Sequence, residues 1–425
     1  MDKKVSELQQ SLYRAAKADG TRKFYSLYDK LCREDIMQEA WNRVKANRGS
    51  AGIDGRTIED VEREGVDAFL KHTAEELRTH AYKPSPVRRV WIPKPNGKMR
   101  GLGIPTVKDR VVQTAVRLLL EPIFEQDFEP NSYGFRPGKS PLDAVTETVR
   151  WLNFGYEHII DADITACFDN IPKGELIEQI TGRIADGSIL HMIKQWIETG
   201  VMEGGIVSHT EQGTPQGSPI SPLLANVFLD RLDKEWKQYG RSTDTHLVRF
   251  ADDFIIMGKQ EMAEHLHRLE TIIAGMKLTL SGEKTRVVEA EKGFDFLGFR
   301  FVRHYSVRRK KRVTRWFPSG RSRERIREKL RSLTQTDRLS NRSPYDARNE
   351  VIVVLRGWGE YYRHSMSSVI LGQIWEYANV RIARMYRRWK QKRYFTGKYR
   401  ELVRKRLSVD HTRPGSVPYA FKAAR

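Results

Sequence analysis

Two acidic sites in this 425-residue sequence have the residue types that bind divalent cations. Asp163 closes a segment of alternating polarity, and the pair Asp252-Asp253 lies between two apolar segments 89 residues later. Carboxylate oxygens are the ligands that Mg²⁺ prefers, and Mg²⁺ keeps its other positions for water and substrate phosphates. Two such ions about 4 Å apart can activate a 3′-hydroxyl and stabilise a leaving pyrophosphate. The three aspartates therefore indicate nucleotidyl transfer.

An Asp-Asp pair also has a simpler interpretation, because Asp tolerates the backbone conformations of tight turns. Taken alone, the pair favours that interpretation. The flanking residues favour a metal site: Phe250-Ala251 precedes the pair and Phe254-Ile255-Ile256-Met257-Gly258 follows it. In such apolar strands an uncompensated charge is costly unless a cation neutralises it.

Strands should position these aspartates. Residues 156–164 alternate so that Asp161 and Asp163 share one face. Residues 246–251 and 254–258 predict a hairpin with Asp252-Asp253 at its tip. The sequence therefore places the carboxylates at the ends of half-buried strands.

A second hairpin and a series of helices complete the predicted body. Residues 87–92 and 99–104 flank Asn96-Gly97, which is the usual signal of a tight hairpin turn, and this turn is basic. Apolar residues recur at helical spacing in six further segments. These are residues 6–44, 109–120, 220–236, 322–333, 347–362 and 369–393.

The excess of positive over negative charge lies entirely in the last part of the chain. Residues 301–425 hold 33 Lys and Arg against 9 Asp and Glu, whereas residues 1–300 hold 42 against 45. An asymmetry of this size indicates a polyanionic partner, nucleic acid before membrane. A single basic run is more often a solvated face, but a region of this length is harder to explain in that way.

The composition also excludes several classes of protein. Two cysteines, Cys32 and Cys167, cannot form a disulfide framework or a zinc site of four thiolates. The longest aliphatic run, residues 351–355, is too short to span a bilayer, and the N-terminus lacks the apolar core of a signal peptide. We therefore expect a cytoplasmic protein with no zinc and no membrane partner.

The order of the motifs resembles that of the reverse transcriptases encoded by bacterial group II introns, which also act as splicing maturases. The Phe250-Ala251-Asp252-Asp253 box is similar to the aromatic-Ala-Asp-Asp motif of that family. Five further boxes match in order, and the resemblance runs from about residue 10 to about residue 395. They are residues 100–106, 132–138, 163–171, 213–226 and 296–299.

The resemblance implies an α+β fold of the right-hand polymerase type, with fingers, a palm built on an antiparallel sheet and a helical thumb. Residues 1–86 would form an N-terminal helical extension and the start of the fingers, and residues 87–305 the fingers and palm. Residues 306–395 would form the thumb and maturase domain. Residues 396–425 would be a short basic tail, and we expect no endonuclease domain.

The resemblance also implies residue roles. Asp163, Asp252 and Asp253 would bind two Mg²⁺ ions, for which Mn²⁺ could substitute, and the backbone carbonyl of Ile164 would assist. Asp161 falls outside the motif and is interpreted as structural or solvent-facing. The nucleotide pocket would consist of Lys94, Arg100, Phe168, Gln216 and Gly217.

Two of these assignments have plain structural alternatives. The Phe168 ring would exclude a 2′-hydroxyl, although a core Phe suits the same position. Lys94 and Arg100 would grip the triphosphate, although a solvated basic turn has the same composition. The resemblance further implies a primer grip and a nucleic-acid surface. The grip would be Phe296, Leu297, Gly298 and Phe299, and the surface would include Arg136, Lys284, Arg381, Arg384, Arg387 and Arg388.

The implied function is that of an RNA-directed DNA polymerase which binds its intron RNA as a maturase and supports retrohoming. Its partners would be group II intron RNA, an RNA template with a DNA or RNA primer, target DNA and deoxynucleoside triphosphates. Two alternatives stay open. One is an RNA-binding splicing cofactor without polymerase activity, against which the intact aspartates argue. The other is a reverse transcriptase domesticated for defence or repair, which ranks lower because residues 355–363 resemble the maturase box.

Overall fold

The computed structural model describes residues 2–93, 97, 99–203, 206–208, 217–335 and 343–391. The chain forms two compact units. Unit 1 contains residues up to 144 together with 160–287, and unit 2 contains 145–159 together with the residues from 288 onward. In the second half of the chain the division between the two units falls at Val287.

Unit 1 begins with helices that pack on one buried helix. The first five are α1 (Lys3–Ala18), α2 (Tyr28–Leu31), α3 (Glu34–Ala46), α4 (Ile58–Glu64) and α5 (Val66–Arg78). The strands β1 (Val87–Pro93) and β2 (Met99–Ile104) then form the predicted hairpin, with Arg88 opposite Ile104. The next helix, α6 (Val107–Phe124), is buried over almost its whole length, and both α1 and α3 pack against it.

The middle of the chain alternates helices and short strands. Helix α7 (Pro141–Asn153) spans the start of unit 2, and the chain then returns to unit 1 through β3 (His158–Asp163). Further elements follow in order. They are α8 (Cys167–Asn170), α9 (Lys173–Thr181), α10 (Gly187–Glu198), β4 (Val201–Glu203), β5 (Ile206–Ser208), α11 (Ser221–Thr243), β6 (His246–Phe250), β7 (Asp253–Gly258), α12 (Ala263–Gly275) and β8 (Arg286–Glu289).

The strands up to β8 form two four-stranded sheets. One has the order β2-β1-β4-β5 and the other β6-β7-β3-β8. The second sheet places β7 beside β3, so that it joins the two acidic segments found in the sequence. Its inner residues are apolar, and Ile160, Phe254 and Ile256 are completely buried.

Among the residues that the structure describes, unit 2 contains one sheet and three helices besides the end of α7. The sheet has the order β11-β10-β9, with β9 (Phe294–Phe296), β10 (Phe299–Ser306) and β11 (Lys311–Pro318). Strand β10 pairs with both neighbours and is the central strand of this sheet. The helices α13 (Gly320–Leu333), α14 (Pro344–Tyr362) and α15 (Ser368–Gln391) confirm the three basic helices expected from the sequence.

Two further expectations can be compared with the part of the chain that the structure describes. Cys32 and Cys167 are both buried and free. None of the described helices is both long enough and apolar enough to cross a membrane. The assignment of fingers, palm and thumb to particular residue ranges stays a prediction.

Candidate active site

The Asp252-Asp253 pair lies at the tip of a tight, buried hairpin. Strands β6 and β7 pair in antiparallel register from His246 opposite Met257 to Phe250 opposite Asp253. This register leaves only Ala251 and Asp252 in the turn, and Ala251 has a φ of 59°. Because the flanking strands are apolar and buried, the carboxylates remain at a fixed end of the sheet.

Asp163 is the last residue of β3, the strand beside β7. The segment around Leu280 holds it in place: the amide of Ser281 donates to the Asp163 carbonyl at 2.8 Å, and Ile164 bridges Leu280. Ile164 itself is buried. The carboxyl end of β3 is therefore pinned by backbone hydrogen bonds before any ligand binds.

The three aspartates lie close enough together for their charges to influence one another. Burial raises the pKa of Asp253 to about 7, and the charges of Asp161, Asp252 and Asp163 contribute to this rise. Burial also raises the pKa of Asp252, where Asp163 acts in the same direction and Arg100 and Lys284 oppose it. Half-buried carboxylates that repel one another provide the oxygen donors and the negative field that a hard divalent cation needs.

Two cations already contact this acidic cluster. The Lys284 ammonium lies 2.8 Å from Asp163 Oδ2, and the Arg286 guanidinium donates to Asp161 Oδ2 at 2.8 and 3.0 Å. Across the described residues, no three His, Cys, Asp or Glu side chains are gathered as a ready metal cluster. The donor set fits a divalent cation, and that cation would have to replace Lys284 at Asp163.

The predicted nucleotide pocket is only partly described. Arg100 is exposed on β2, and its charge opposes the rise that burial causes in the pKa of Asp252, so it acts on the aspartate cluster. Phe168 is 9% exposed and belongs to the core cluster of unit 1. A Cβ atom at Gly217, where φ is +110°, would lie 2.5 Å from the Gly103 carbonyl oxygen, so this position requires glycine. Lys94 and Gln216 lie outside the described residues.

The assignment of Arg136 to nucleic-acid binding needs correction. Its side chain is 5% exposed and forms an ion pair with Glu125 at 2.7 Å. The guanidinium also donates to the backbone carbonyls of Glu129 and Ser132. With these donors engaged in the interior, Arg136 stabilises the loop after α6 and does not present its charge to a ligand.

The remaining predicted basic residues differ in exposure. Arg384, Arg387 and Arg388 are exposed on α15. Arg381 is half-buried and donates to Thr334 Oγ1 at 3.0 Å, so part of its guanidinium is engaged. Lys284 is exposed, and its ammonium pairs with Asp163 in the aspartate cluster described above.

The predicted primer grip is the turn between β9 and β10 in unit 2. Leu297 and Gly298 both have positive φ, and Phe296 and Phe299 are buried. Tyr361 donates to the Leu297 carbonyl at 2.9 Å, and Tyr362 donates to the Gly298 carbonyl at 3.0 Å. Helix α14, which carries the predicted maturase box, thus fixes the shape of this turn.

Sequence reasoning missed two groups. Arg249 is completely buried in β6 and pairs with Asp233, although a charged residue inside an apolar strand was a visible signal. Arg323, Arg327 and Arg331 lie four residues apart and line a groove on α13 with Gly320 and Glu324. Their common spacing is readable in the sequence, but the groove that they line required the structure.

The comparisons with known proteins give the family. Residues 92–301 match the family described as "Reverse transcriptase (RNA-dependent DNA polymerase)", and residues 323–405 match "Group II intron, maturase-specific domain". A chain of the "Partial Cas6-RT-Cas1--Cas2 complex" aligns over 59% of this chain and 43% of its own, at 23% identity and a TM-score of 0.37. That structural likeness is too distant to carry an argument.

Two individual relatives support the same family assignment. Protein YkfC of Escherichia coli K12 is 30% identical over 358 residues, which cover 75% of this chain and 94% of that protein. The group II intron-encoded protein LtrA of Lactococcus lactis is 39% identical over 214 residues, 50% of this chain but 35% of its own length. The expected family is thereby confirmed: the chain belongs to the group II intron-encoded reverse transcriptases with a maturase domain, RNA-directed DNA polymerases of the right-hand fold.

Proposed function

We propose that this reverse transcriptase extends a primer on an RNA template by using two Mg²⁺ ions held by Asp163, Asp252 and Asp253. The observation that carries the proposal is the sheet order β6-β7-β3-β8, which places the Asp252-Asp253 turn beside the strand that ends at Asp163, within the stretch that matches the reverse transcriptase family. When bound, the ions would supply activation of the 3′-hydroxyl and neutralisation of the leaving pyrophosphate. The same sites could take Mn²⁺.

The other residues of the site would bind and orient the substrate. Arg100 projects from β2 with exposed charge and would hold the triphosphate of the incoming deoxynucleotide. The close passage of Gly217 beside Gly103 shapes the backbone wall of the pocket. Phe168 would support the sugar, and Lys284, once displaced from Asp163, would keep a positive charge near the phosphates. Lys94 and Gln216 complete the proposed pocket by resemblance alone.

Primer extension on an RNA template tests this proposal. The wild-type protein should extend a DNA primer in Mg²⁺, and Asp252→Asn should reduce the rate by on the order of 10³-fold or more, because it removes an anionic oxygen donor at almost unchanged volume. RNA affinity, measured in parallel, should not change. If the wild-type protein and Asp252→Asn gave the same null extension while both bound RNA, a splicing cofactor without polymerase activity would replace the proposal.

The maturase domain is proposed to bind the parent intron RNA and, during retrohoming in the bacterial cytoplasm, to act with target DNA. The match of residues 323–405 to the maturase-specific domain supports this role. The groove residues Arg323, Arg327 and Arg331 project from successive turns of α13, about 6 Å apart along the helix axis. Arg384, Arg387 and Arg388 are exposed on α15, and α13 and α15 together form the proposed backbone surface.

A splicing assay with salt titration tests the second role. The protein should accelerate splicing of its own intron RNA, and its RNA affinity should fall steeply with salt concentration because phosphate contacts release counterions. An affinity that stays flat between low and physiological salt would contradict an electrostatic surface. An unrelated structured RNA of equal length is the control for specificity.

A further inference from the structure

A completely buried ion pair lies behind the catalytic turn. The Arg249 and Asp233 side chains both have zero exposure, and Arg249 Nε donates to the two Asp233 oxygens at 2.8 and 3.1 Å. Replacing such a pair with apolar residues is often neutral for stability, because desolvation offsets the attraction between the charges. Its position therefore calls for an explanation other than stability.

The same guanidinium reaches the turn itself. Arg249 Nη1 donates to the Ala251 carbonyl at 3.0 Å and to Asn226 Oδ1 at 3.2 Å. The Asn226 amide in turn donates to the Gly134 carbonyl at 2.8 Å. One planar cation thus joins helix α11, strand β6, the turn and, through Asn226, the segment around Gly134.

The turn needs such support. Ala251 adopts a φ of 59°, a left-handed conformation that is unfavourable for a residue with a side chain. Gly134 packs directly against it: a Cβ atom there would lie 2.3 Å from the Ala251 amide nitrogen. The amide of Tyr133, the residue before Gly134, donates to the Arg249 carbonyl at 2.8 Å. The backbone next to Asp252 is therefore held both by the Arg249 guanidinium and by the segment that contains Tyr133 and Gly134.

We propose that Arg249, oriented by Asp233 and Asn226, is the positioning residue that fixes the left-handed turn at Ala251 and thereby sets the spacing of Asp252 and Asp253 for divalent-cation binding. The inference rests on the proposed role of these aspartates as metal ligands. Arg249 touches neither metal nor substrate and acts only through the Ala251 carbonyl. Its loss should therefore be seen in metal affinity before it is seen in the affinity for nucleotide.

The test compares two buried arginines of unit 1. Arg249→Lys keeps a cation beside Asp233 but lacks the second nitrogen that reaches Ala251. Arg183→Lys is the matched control, because Arg183 also pairs with an aspartate, Asp127 at 2.9 Å, and also donates to backbone carbonyls away from the turn. The measurements are Mn²⁺ binding by electron paramagnetic resonance without substrate, thermal unfolding, and the Mg²⁺ concentration for half-maximal primer extension.

Arg249→Lys should weaken Mn²⁺ binding and raise the half-saturating Mg²⁺ concentration by on the order of 10-fold, with an unchanged KM for deoxynucleotide at saturating metal. Arg183→Lys should lower the unfolding temperature to a similar degree without a change in metal affinity. Equal metal affinities in the two variants would show that the Arg249 network serves stability alone and would overturn the proposal.

Asn226→Ala decides the question if Arg249→Lys does not fold. This change retains the buried ion pair and removes the link to Gly134, so a folded Asn226→Ala protein should need about 3-fold more metal. An unchanged metal requirement would refute the positioning role. The variant Asp252→Asn in the same Mn²⁺ assay separates the two hypotheses: if it binds Mn²⁺ as tightly as the wild-type protein, the proposed metal site itself fails.

Discussion

The two units use charge in opposite ways. In unit 1 the aspartates near the catalytic turn are buried or half-buried, and they have defined partners, such as Lys284 for Asp163 and Arg249 for Asp233. In unit 2 the groove arginines of α13 are half-buried or exposed; Arg327 lies over the ring of Tyr377 and Arg331 donates to its hydroxyl at 2.9 Å. We expect catalysis in unit 1 to depend on the geometry of its charged groups and RNA binding by unit 2 to depend on their number. Single substitutions in unit 1 should therefore have large effects on primer extension that do not depend on salt. Single substitutions on α13 should have small, additive effects on RNA affinity that do depend on salt.

The largest effect should distinguish neighbouring aspartates within unit 1. Asp253→Asn should reduce primer extension by on the order of 10³-fold or more, because a proposed metal ligand is lost. Asp161→Asn should reduce it less than about 10-fold, because Asp161 pairs with Arg286 and is not assigned to the metal. Steady-state extension with excess Mg²⁺ measures both. Equal losses would show that proximity to the site, and not metal ligation, determines the effect.

The next largest effect should come from a substitution that displaces the backbone of the catalytic turn. Gly134→Ala would place a Cβ atom 2.3 Å from the Ala251 amide, so it should cost about 1–3 kcal/mol in unfolding free energy and slow extension by on the order of 10²-fold. Gly174→Ala is the control, since a Cβ atom added at this position in helix α9 would meet open space. That change should be neutral or stabilising by up to about 1 kcal/mol. Denaturant unfolding and extension of both variants check the contrast, which would be lost if Gly134→Ala behaved like the control.

The raised pKa of Asp253 leads to a third prediction. Because burial raises the pKa of Asp253 to about 7, the folded protein holds a proton that the unfolded chain has already released above its ordinary carboxyl pKa. This group's contribution to the stability of the metal-free protein should therefore decrease as the pH rises through the interval up to about 7. A metal competes with that proton, so Mn²⁺ affinity should rise about 10-fold per pH unit below about 7 and then level off.

Calorimetric Mn²⁺ titrations between about pH 5.5 and 8 measure this dependence. The control is Asp253→Asn, which has no proton to release at this position and should show a weaker pH dependence of both stability and residual metal affinity. A wild-type affinity that does not change below about pH 7 would contradict the assignment of Asp253 as the proton-linked ligand.

The smallest effects should be found on α13. Single changes of Arg323, Arg327 or Arg331 to Gln should each weaken RNA binding by about 3-fold. In the triple variant the three losses should add, and the slope of log affinity against log salt concentration should become less steep by about one for each arginine removed. Arg325→Gln, on the same helix but outside the groove, is the control for net charge. Filter binding at several salt concentrations checks this. A single groove variant that abolished RNA binding would show that α13 depends on geometry after all.

Most of the local structure could be predicted from the sequence, because it depends on short-range patterns. The alternation before Asp163 and the apolar flanks of Asp252-Asp253 predicted strands that the structure contains, as β3, β6 and β7. The basic helices of the C-terminal region followed from their apolar periodicity in the same way. The family followed from the order of the motifs, and two independent family matches agree with it.

What the sequence could not provide was the partner of each charged residue. Arg136 stands in a motif of the family and was assigned to nucleic acid, yet Glu125, eleven positions earlier, takes its guanidinium into the interior. Lys284 and Asp163 are 121 positions apart, and no local pattern links them. Arg249 looks like an isolated charge in a strand until Asp233 is seen beside it. Pairing of this kind is long-range and requires the fold.

The insertion of residues 145–159 into unit 2 has a consequence for how the protein is made. Asn153 accepts a hydrogen bond from Thr314, and Glu157 accepts one from Arg303, partners that lie 161 and 146 positions later in the chain. At about 5–20 residues per second, the ribosome needs on the order of ten seconds to supply them. During that time the end of α7 has emerged without the sheet that will cover it. A messenger RNA truncated between these points would yield a chain with an uncovered helix, which makes this interval the vulnerable stage of translation.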